Sequence, residues 1–396
     1  MQVEMSINQI ADLDEMRLIL NEFADRHNTK VDLQVFDWST AWAELMKISL
    51  YGHGPIVSEV GSTWMSSLAG QNSLRPFTSN EVASFGGKDN FLPASWQSCL
   101  DLTEDTVLAI PWTLNTYLVY YRRDLFNKAG IDESTAFDSF EKLTDTLERL
   151  RMVSPEMLIA IPNYGNSVGV LHNASSFVWD TGGDFIMPDG KSVCFSDPNT
   201  LAGLARYFSL HKYMPTAARN LYDDDCTNAY LEGRSAITFR SLDLLSQMKA
   251  VNVPKEVAQN TGIAVQPGIP FLGGSNLVIW NHVLPSQEAL AVDLVRYLTS
   301  ADVMMTQFQK VKYTPANLEA LNQVEMDPTY FPLAKSLRKG RPFKRVPLWG
   351  LVEDKLVKSL NHVWKTIFAT SDPNVDEIIR DALLPLEDRL NITLSQ

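Results

Sequence analysis

The chain has 396 residues, more than one hydrophobic core usually organises, and its 45% hydrophobic and 20% charged content is that of an ordinary soluble protein. A formal charge of −13 and a pI near 5.0 exclude a broad nucleic-acid surface, which would need clustered lysine and arginine. No run reaches the roughly 20 apolar residues of a membrane span, and the opening MQVEMSINQIADLDEM lacks the basic region, apolar core and cleavage site of a signal peptide.

Residues 10–26 place Leu13, Met16, Ile19, Leu20 and Phe23 at helical spacing. Residues 31–36 alternate as a strand and 41–50 return to helix. Gly54 and Pro55 lead into a short strand over 56–60, which ends in Gly61-Ser62-Thr63-Trp64. Helix, strand, helix, strand in this order predicts a parallel sheet with crossovers. Ligands bind outside the carboxyl ends of such strands, so the loops after Phe36 and Val60 are where function is sought. The segment 110–132, IPWTLNTYLVYYRRDLFNKAGID, passes from a proline-marked start through a strand over 117–121 into a short amphipathic helix. Asp124 is the expected N-cap and Gly130 the residue just past the helix end. Beyond 130 the pattern is mainly helical: 140–151, 198–211, 221–233, 287–298, 301–311, about 348–368, and 375–390. Strands are predicted at 235–239, 262–265 and 276–280. There is no internal repeat and no low-complexity segment.

The three cysteines, Cys99, Cys194 and Cys226, lie far apart and are read as inert thiols, although one bridge is open to them. The six histidines show no HxxxH or HxH spacing, so no metal is expected. The basic run 338–345, RKGRPFKR, reads as a solvated loop face, with an anionic ligand or acidic partner as the alternative. Asp223-Asp224-Asp225 reads as a helix N-terminus or solvated loop rather than a hydrolytic carboxylate pair. GxSxG, GxxxxGK[ST], GxGxxG and HExxH are all absent.

The segment 110–132 resembles the signature of the family 1 extracellular solute-binding proteins, the carbohydrate-type receptors of ABC importers. The resemblance lies in its Pro-Trp start, Tyr-Tyr-Arg-Arg-Asp-Leu-Phe and Ala-Gly-Ile-Asp. It extends through 49–77, with its Ser-Thr-Trp loop, and through TGGDF at 181–185, YLEGRSAIT at 230–238 and Gly273-Gly274-Ser275-Asn276. Ile56 departs from the family pattern, which usually has Asp there. The resemblance implies an α/β, two-lobed periplasmic-binding-protein fold of class II type, with discontinuous lobes joined by hinge strands. The expected lobes are 1–110 with 266–313, and 111–265 with 314–396. Three crossings are expected, near 110–112, 265–270 and 313–315, where Pro111, Pro267, Pro270 and Pro315 stand. It also implies solute capture by hinge closure and a small-molecule ligand, a carbohydrate above all. Delivery to ABC permease subunits, a periplasmic or extracellular location (free or lipid-anchored, the export signal removed) and a monomer without cofactor complete the expectation. A carbohydrate-active enzyme, a ligand sensor and a receptor for a non-sugar solute are the competing readings.

A sugar presents apolar C–H faces and a rim of hydroxyls, so its receptor needs flat aromatics with fixed donors and acceptors beside them. Among the nine tryptophans, Trp38, Trp42, Trp64, Trp179 and Trp349 stand at loop or element ends and are the stacking candidates; for each, the alternative is a place in the core, which for Trp42 means facing inward from its helix. Trp96, Trp280 and Trp364 read as structural. Ser62 and Thr63 flank Trp64 with hydroxyls. The family resemblance adds Asn115 just past the first hinge, Tyr117 (or a core role for it), Gly182 and Gly183, and Arg240, with a surface salt bridge as its alternative. It also adds Gly273, Gly274, Ser275 and Asn276, since glycine lets a backbone approach a ligand closely.

Overall fold

The computed structural model describes residues 2–394 apart from 11, 154–156, 166, 216–217 and 251. Its strands are, in chain order, β1 (Gln2–Asn8), β2 (Lys30–Phe36), β3 (Val57–Gly61), β4 (Ala109–Asn115), β5 (Leu118–Arg122), β6 (Met157–Ala160), β7 (Ser235–Arg240), β8 (Thr261–Val265), β9 (Gly273–Ile279) and β10 (Thr314–Pro315). They form a six-stranded and a four-stranded sheet, one in each of two compact units. Unit 1 is Met1–Asn115, Leu272–Ala334 and Arg345–Gly350; unit 2 is Thr116–Phe271, Lys335–Lys344 and Leu351–Gln396.

The chain therefore passes between units five times rather than three. Residues 314–334, expected in the second lobe, belong to unit 1 because β10 pairs with β4 (Thr314 with Leu114, Pro315 with Thr113) and Ala316 donates its N–H to the Trp112 carbonyl at 3.2 Å. The basic run is likewise not a free solvated face. Arg345 donates to the carbonyls of Leu100 (3.1 Å) and Asp101 (3.2 Å) in unit 1, whereas Arg341 and Lys344 pair with Asp184 in unit 2.

In unit 1 the strand order is β10-β4-β9-β3-β1-β2. β1 runs parallel to β2 and β3, as the alternation of helix and strand predicts, but β9 is antiparallel to both β3 and β4, so the sheet is mixed. The opening strand β1 is not among the predicted elements. Its residues do alternate, with Val3, Met5 and Ile7 between Gln2, Glu4, Ser6 and Asn8, but the strand lies between two neighbours and buries Ser6 and Asn8 along with the apolar residues. Below the sheet Leu45, Ile48, Val60, Met65, Leu68, Cys99 and Trp280 form a core against which Trp42 and Trp64 pack.

In unit 2 the order is β6-β7-β5-β8, with β5 antiparallel to both neighbours and β6 parallel to β7. The helix Arg123–Ala129 starts directly after β5. Asp124 is not its cap but sits in the first turn, where its carboxylate takes both Nε and Nη2 of Arg122 at 2.8 Å; Gly130 ends the helix at φ 63°. The helix Gly169–Asp180 has no sequence signal because eleven of its twelve residues are buried, leaving no polar stripe to set a period. The cysteines Cys99, Cys194 and Cys226 are free thiols.

Candidate functional site

In unit 1 the candidates gather at the carboxyl ends of β1, β2 and β3. The helix Trp38–Tyr51 begins two residues after β2, so Trp38 sits on its first turn, 49% exposed, with its indole N–H donated to the Gln9 carbonyl at 3.1 Å. β3 ends at Gly61, and a turn closed by Trp64 N–H to Gly61 C=O (2.9 Å) carries Ser62, Thr63 and Trp64, all half-buried. The Trp64 ring lies between two others: Trp38 at 6.0 Å and 53°, Trp42 at 5.7 Å and 45°. The rings are tilted rather than stacked, and Trp38 is the most exposed of the three, Trp42 and Trp64 being half-buried.

The turn is tied to β9, where Ser62 N–H donates to the Gly274 carbonyl at 2.8 Å. Gly274 has φ 141°, and a Cβ there would lie 2.0 Å from the Thr113 carbonyl oxygen, so no other residue fits. Gly273 pairs with Asn115 across the β9–β4 ladder, which puts Asn115, half-buried, at the same sheet end. The side chains of Ser275 and Asn276, by contrast, are occupied inside unit 1. Ser275 Oγ donates to Glu59 Oε1 at 2.6 Å and Asn276 Nδ2 to Ser98 Oγ at 2.9 Å. Trp349 begins a helix, Trp349–Ala369, and is 2% exposed.

The unit 2 candidates are mostly buried. Arg240, the last residue of β7, pairs with Asp223 at the start of the helix Asp223–Leu231. Burial, the largest single influence, would lower its guanidinium, but the Asp223 carboxylate together with Tyr117 and Cys226 holds it above its ordinary value. The salt bridge weighed as its alternative is therefore present, part-buried rather than on the open surface, with the Arg240 side chain 11% and the Asp223 side chain 35% exposed. Tyr117 is 7% exposed, its ring 5.8 Å from that of His172, and burial drives its hydroxyl upward, with Asp223 adding to the shift. Trp179 is 3% exposed, packed edge-on to Phe343 (5.4 Å) with the Arg341 guanidinium 5.1 Å from its ring. Gly183 lies against the helix Pro198–Ser209, where a Cβ would come within 2.5 Å of the Thr200 nitrogen, while Gly182 is exposed. Gly183 is therefore required by packing.

A model of the bacterial extracellular solute-binding proteins matches residues 19–332. The chain belongs to that family. This solute-binding protein is similar to a probable ABC transporter-binding protein of Deinococcus radiodurans, 23% identical over 220 residues. That match takes in 53% of this chain and only 51% of the relative, so the chain spans about half the length of the curated relative it matches. Among solved structures it resembles T. maritima MalE3 with maltose bound (TM-score 0.83, 19% identity, 98% of this chain and 99% of that one). It also resembles a Thermotoga lettingae ABC-transporter solute-binding protein bound with alpha-D-tagatose (TM-score 0.82, 20% identity, 99% of each chain). These likenesses establish the two-lobed periplasmic-binding-protein fold. The family is one of binding proteins located in the periplasm or outside the cell, and no helix among the described residues of this member is long and apolar enough to cross a membrane.

Three residues of this solute-binding protein that the sequence did not single out matter to the geometry. Glu59, 2% exposed in β3, has its carboxyl pushed up by burial, against the hydrogen bonds of Ser275, Asn8 and Tyr313. His172 stacks on Phe271 at 3.8 Å and 8°, and burial pulls its imidazole down to about 3, so it is neutral. Phe343 joins Trp179, Phe185 and Phe271 in one aromatic cluster. A Glu in mid-strand was the one visible signal: SEVG breaks an apolar run where a paired acceptor is needed.

Proposed function

We propose that this protein is the extracytoplasmic receptor of an ABC importer, that it takes a sugar or oligosaccharide, and that it hands the solute to permease subunits with no bond made or broken. The observation that carries the sugar class is the indole group of unit 1. Trp38 and Trp64 stand 6.0 Å apart at the carboxyl ends of β2 and β3, with the hydroxyl residues Ser62 and Thr63 in the same turn. Flat faces and adjacent hydroxyls suit a pyranose, whose C–H face stacks and whose rim hydroxyls need fixed partners. The family membership and the sugar-bound structural neighbours support the same reading.

The deciding experiment is a thermal-shift and calorimetric screen with maltose, maltotriose and D-tagatose. A true ligand at 100 times its dissociation constant adds about 2.7 kcal/mol to the unfolding free energy. Maltotriose recovered intact after long incubation separates binding from hydrolysis. A screen blank for every sugar but positive for a polyamine or phosphate would replace the substrate class. The hinge closure that the family implies is tested separately by small-angle scattering, where a bound sugar should reduce the radius of gyration.

A further inference from the structure

We propose that Glu59 is a positioning residue that sets the spacing of the Trp38 and Trp64 indoles through two backbone arms held by its carboxylate. The identity of the solute rests on the sugar reading; the geometry stands without it. β1 and β3 share ladder pairs only at Met5–Val57 and Ser6–Ser58. Past that point the strands part, and Asn8 donates its N–H to Glu59 Oε2 at 2.7 Å instead of to a strand carbonyl. The next residue, Gln9, donates its N–H to the Phe36 carbonyl at 2.8 Å and accepts the Trp38 indole N–H at 3.1 Å. This is the first arm.

The second arm starts at the other carboxylate oxygen, where Glu59 Oε1 accepts the Ser275 hydroxyl at 2.6 Å. The neighbouring Gly274 gives its carbonyl to Ser62 N–H, the start of the turn that bears Trp64. Thr113 pairs with Ser275 in the β4–β9 ladder, just past a register shift after Pro111, and donates its hydroxyl to Ser275 Oγ at 3.4 Å. Tyr313 adds a longer contact, its hydroxyl 3.5 Å from Oε2. A buried carboxyl is costly, and an apolar side chain would fill the same space without that cost. What the carboxyl supplies is two acceptors in one plane, each orienting a different donor.

The test compares Glu59→Gln and Glu59→Met. An amide keeps one acceptor for Asn8 and offers one donor to Ser275, whereas the thioether keeps neither bond. The readouts are the far-ultraviolet circular-dichroism component that Trp64→Phe abolishes, the melting temperature, and maltose affinity by calorimetry. Glu59→Met should lose most of that indole component and bind maltose about tenfold more weakly, while melting at or above the wild-type temperature. Glu59→Gln should retain the component and bind within about threefold of wild type. A Glu59→Met protein that keeps both the component and the affinity overturns the proposal. Should Glu59→Met not fold, Ser275→Ala removes one arm alone: loss of the component supports the proposal and an unchanged spectrum overturns it. If neither maltose nor D-tagatose binds wild type, the sugar reading fails, and the dichroism comparison still decides the role of Glu59.

Discussion

In unit 1 the indoles of Trp38 and Trp64 stand at strand ends, one of them 49% exposed, whereas in unit 2 Trp179 is 3% exposed and shut between Phe343 and Arg341. The polar candidates divide the same way. Ser62 and Thr63 lie half-buried in a turn, while Arg240 is engaged in a part-buried ion pair with Asp223. The difference follows from how each unit presents its strand ends. In unit 1 the loops after β2 and β3 are short and deliver large side chains directly past the sheet, where ligands meet α/β folds. In unit 2 a helix buried on all sides, Gly169–Asp180, takes Trp179 into the core before any loop begins. A tryptophan near a loop in sequence therefore stays accessible only when the element that carries it ends at the sheet's rim.

Substitutions that exchange stability for affinity test this division. The largest effect should be Trp179→Ala, which removes a buried indole and costs about 3–5 kcal/mol of unfolding free energy, read from the urea midpoint. If it instead leaves stability intact and removes sugar binding, the division between units is wrong for this residue. Trp64→Ala and Trp38→Ala should show the reverse, each losing about 1–3 kcal/mol of calorimetric sugar affinity with little change in stability. Undiminished affinity in both would remove the unit 1 site. Asp223→Ala leaves the Arg240 guanidinium buried without its carboxylate. Because the Asp223 side chain is 35% exposed, the expected loss is about 1–3 kcal/mol, below that of a fully buried pair. Charge-neutral Asp223→Asn with wild-type stability would show that the pair contributes nothing.

The smallest effect at neutral pH, and the one that grows on acidification, concerns His172. Its imidazole is neutral in the fold down to about 3 against an ordinary value of 6.5, so the unfolded chain binds the proton more tightly. The sign follows: the neutral His contributes its full stability above 6.5, and this is lost as the pH falls from there toward 3. His172→Phe, which keeps the stack on Phe271, should flatten the stability profile between those values. An identical acid slope in wild type and variant would mean that His172 is already protonated in the fold.

The local elements with one wet face were legible in the sequence. The stripe at Leu13, Met16, Ile19, Leu20 and Phe23 is the helix Leu13–Arg26, and Gly130 ends its helix where expected. The helix Gly169–Asp180, with no wet face, carried no polar stripe and was missed for that reason, whereas β1 carries a plain alternation in QVEMSIN that was legible and not used. Asp124 was misread because a carboxylate near a helix start can cap it or pair with a neighbouring arginine, and Arg122 is close enough to take it. The candidate loop residues Trp38, Ser62, Thr63 and Trp64 were found from position alone; Ser275 and Asn276 came from the family pattern, which does not say which way a side chain turns.

By itself, then, the sequence determined the family, the strand–turn–helix pieces and the turn that carries Trp64, because capping, alternation and motif spacing act over a few residues. Only the tertiary structure decided that residues 314–334 join unit 1, that Trp179 is enclosed, and that Glu59 reaches both Asn8 and Ser275. These depend on partners about 50 to more than 200 positions away along the chain, and burial and hydrogen bonding are set by what packs opposite a residue, not by what stands beside it in sequence.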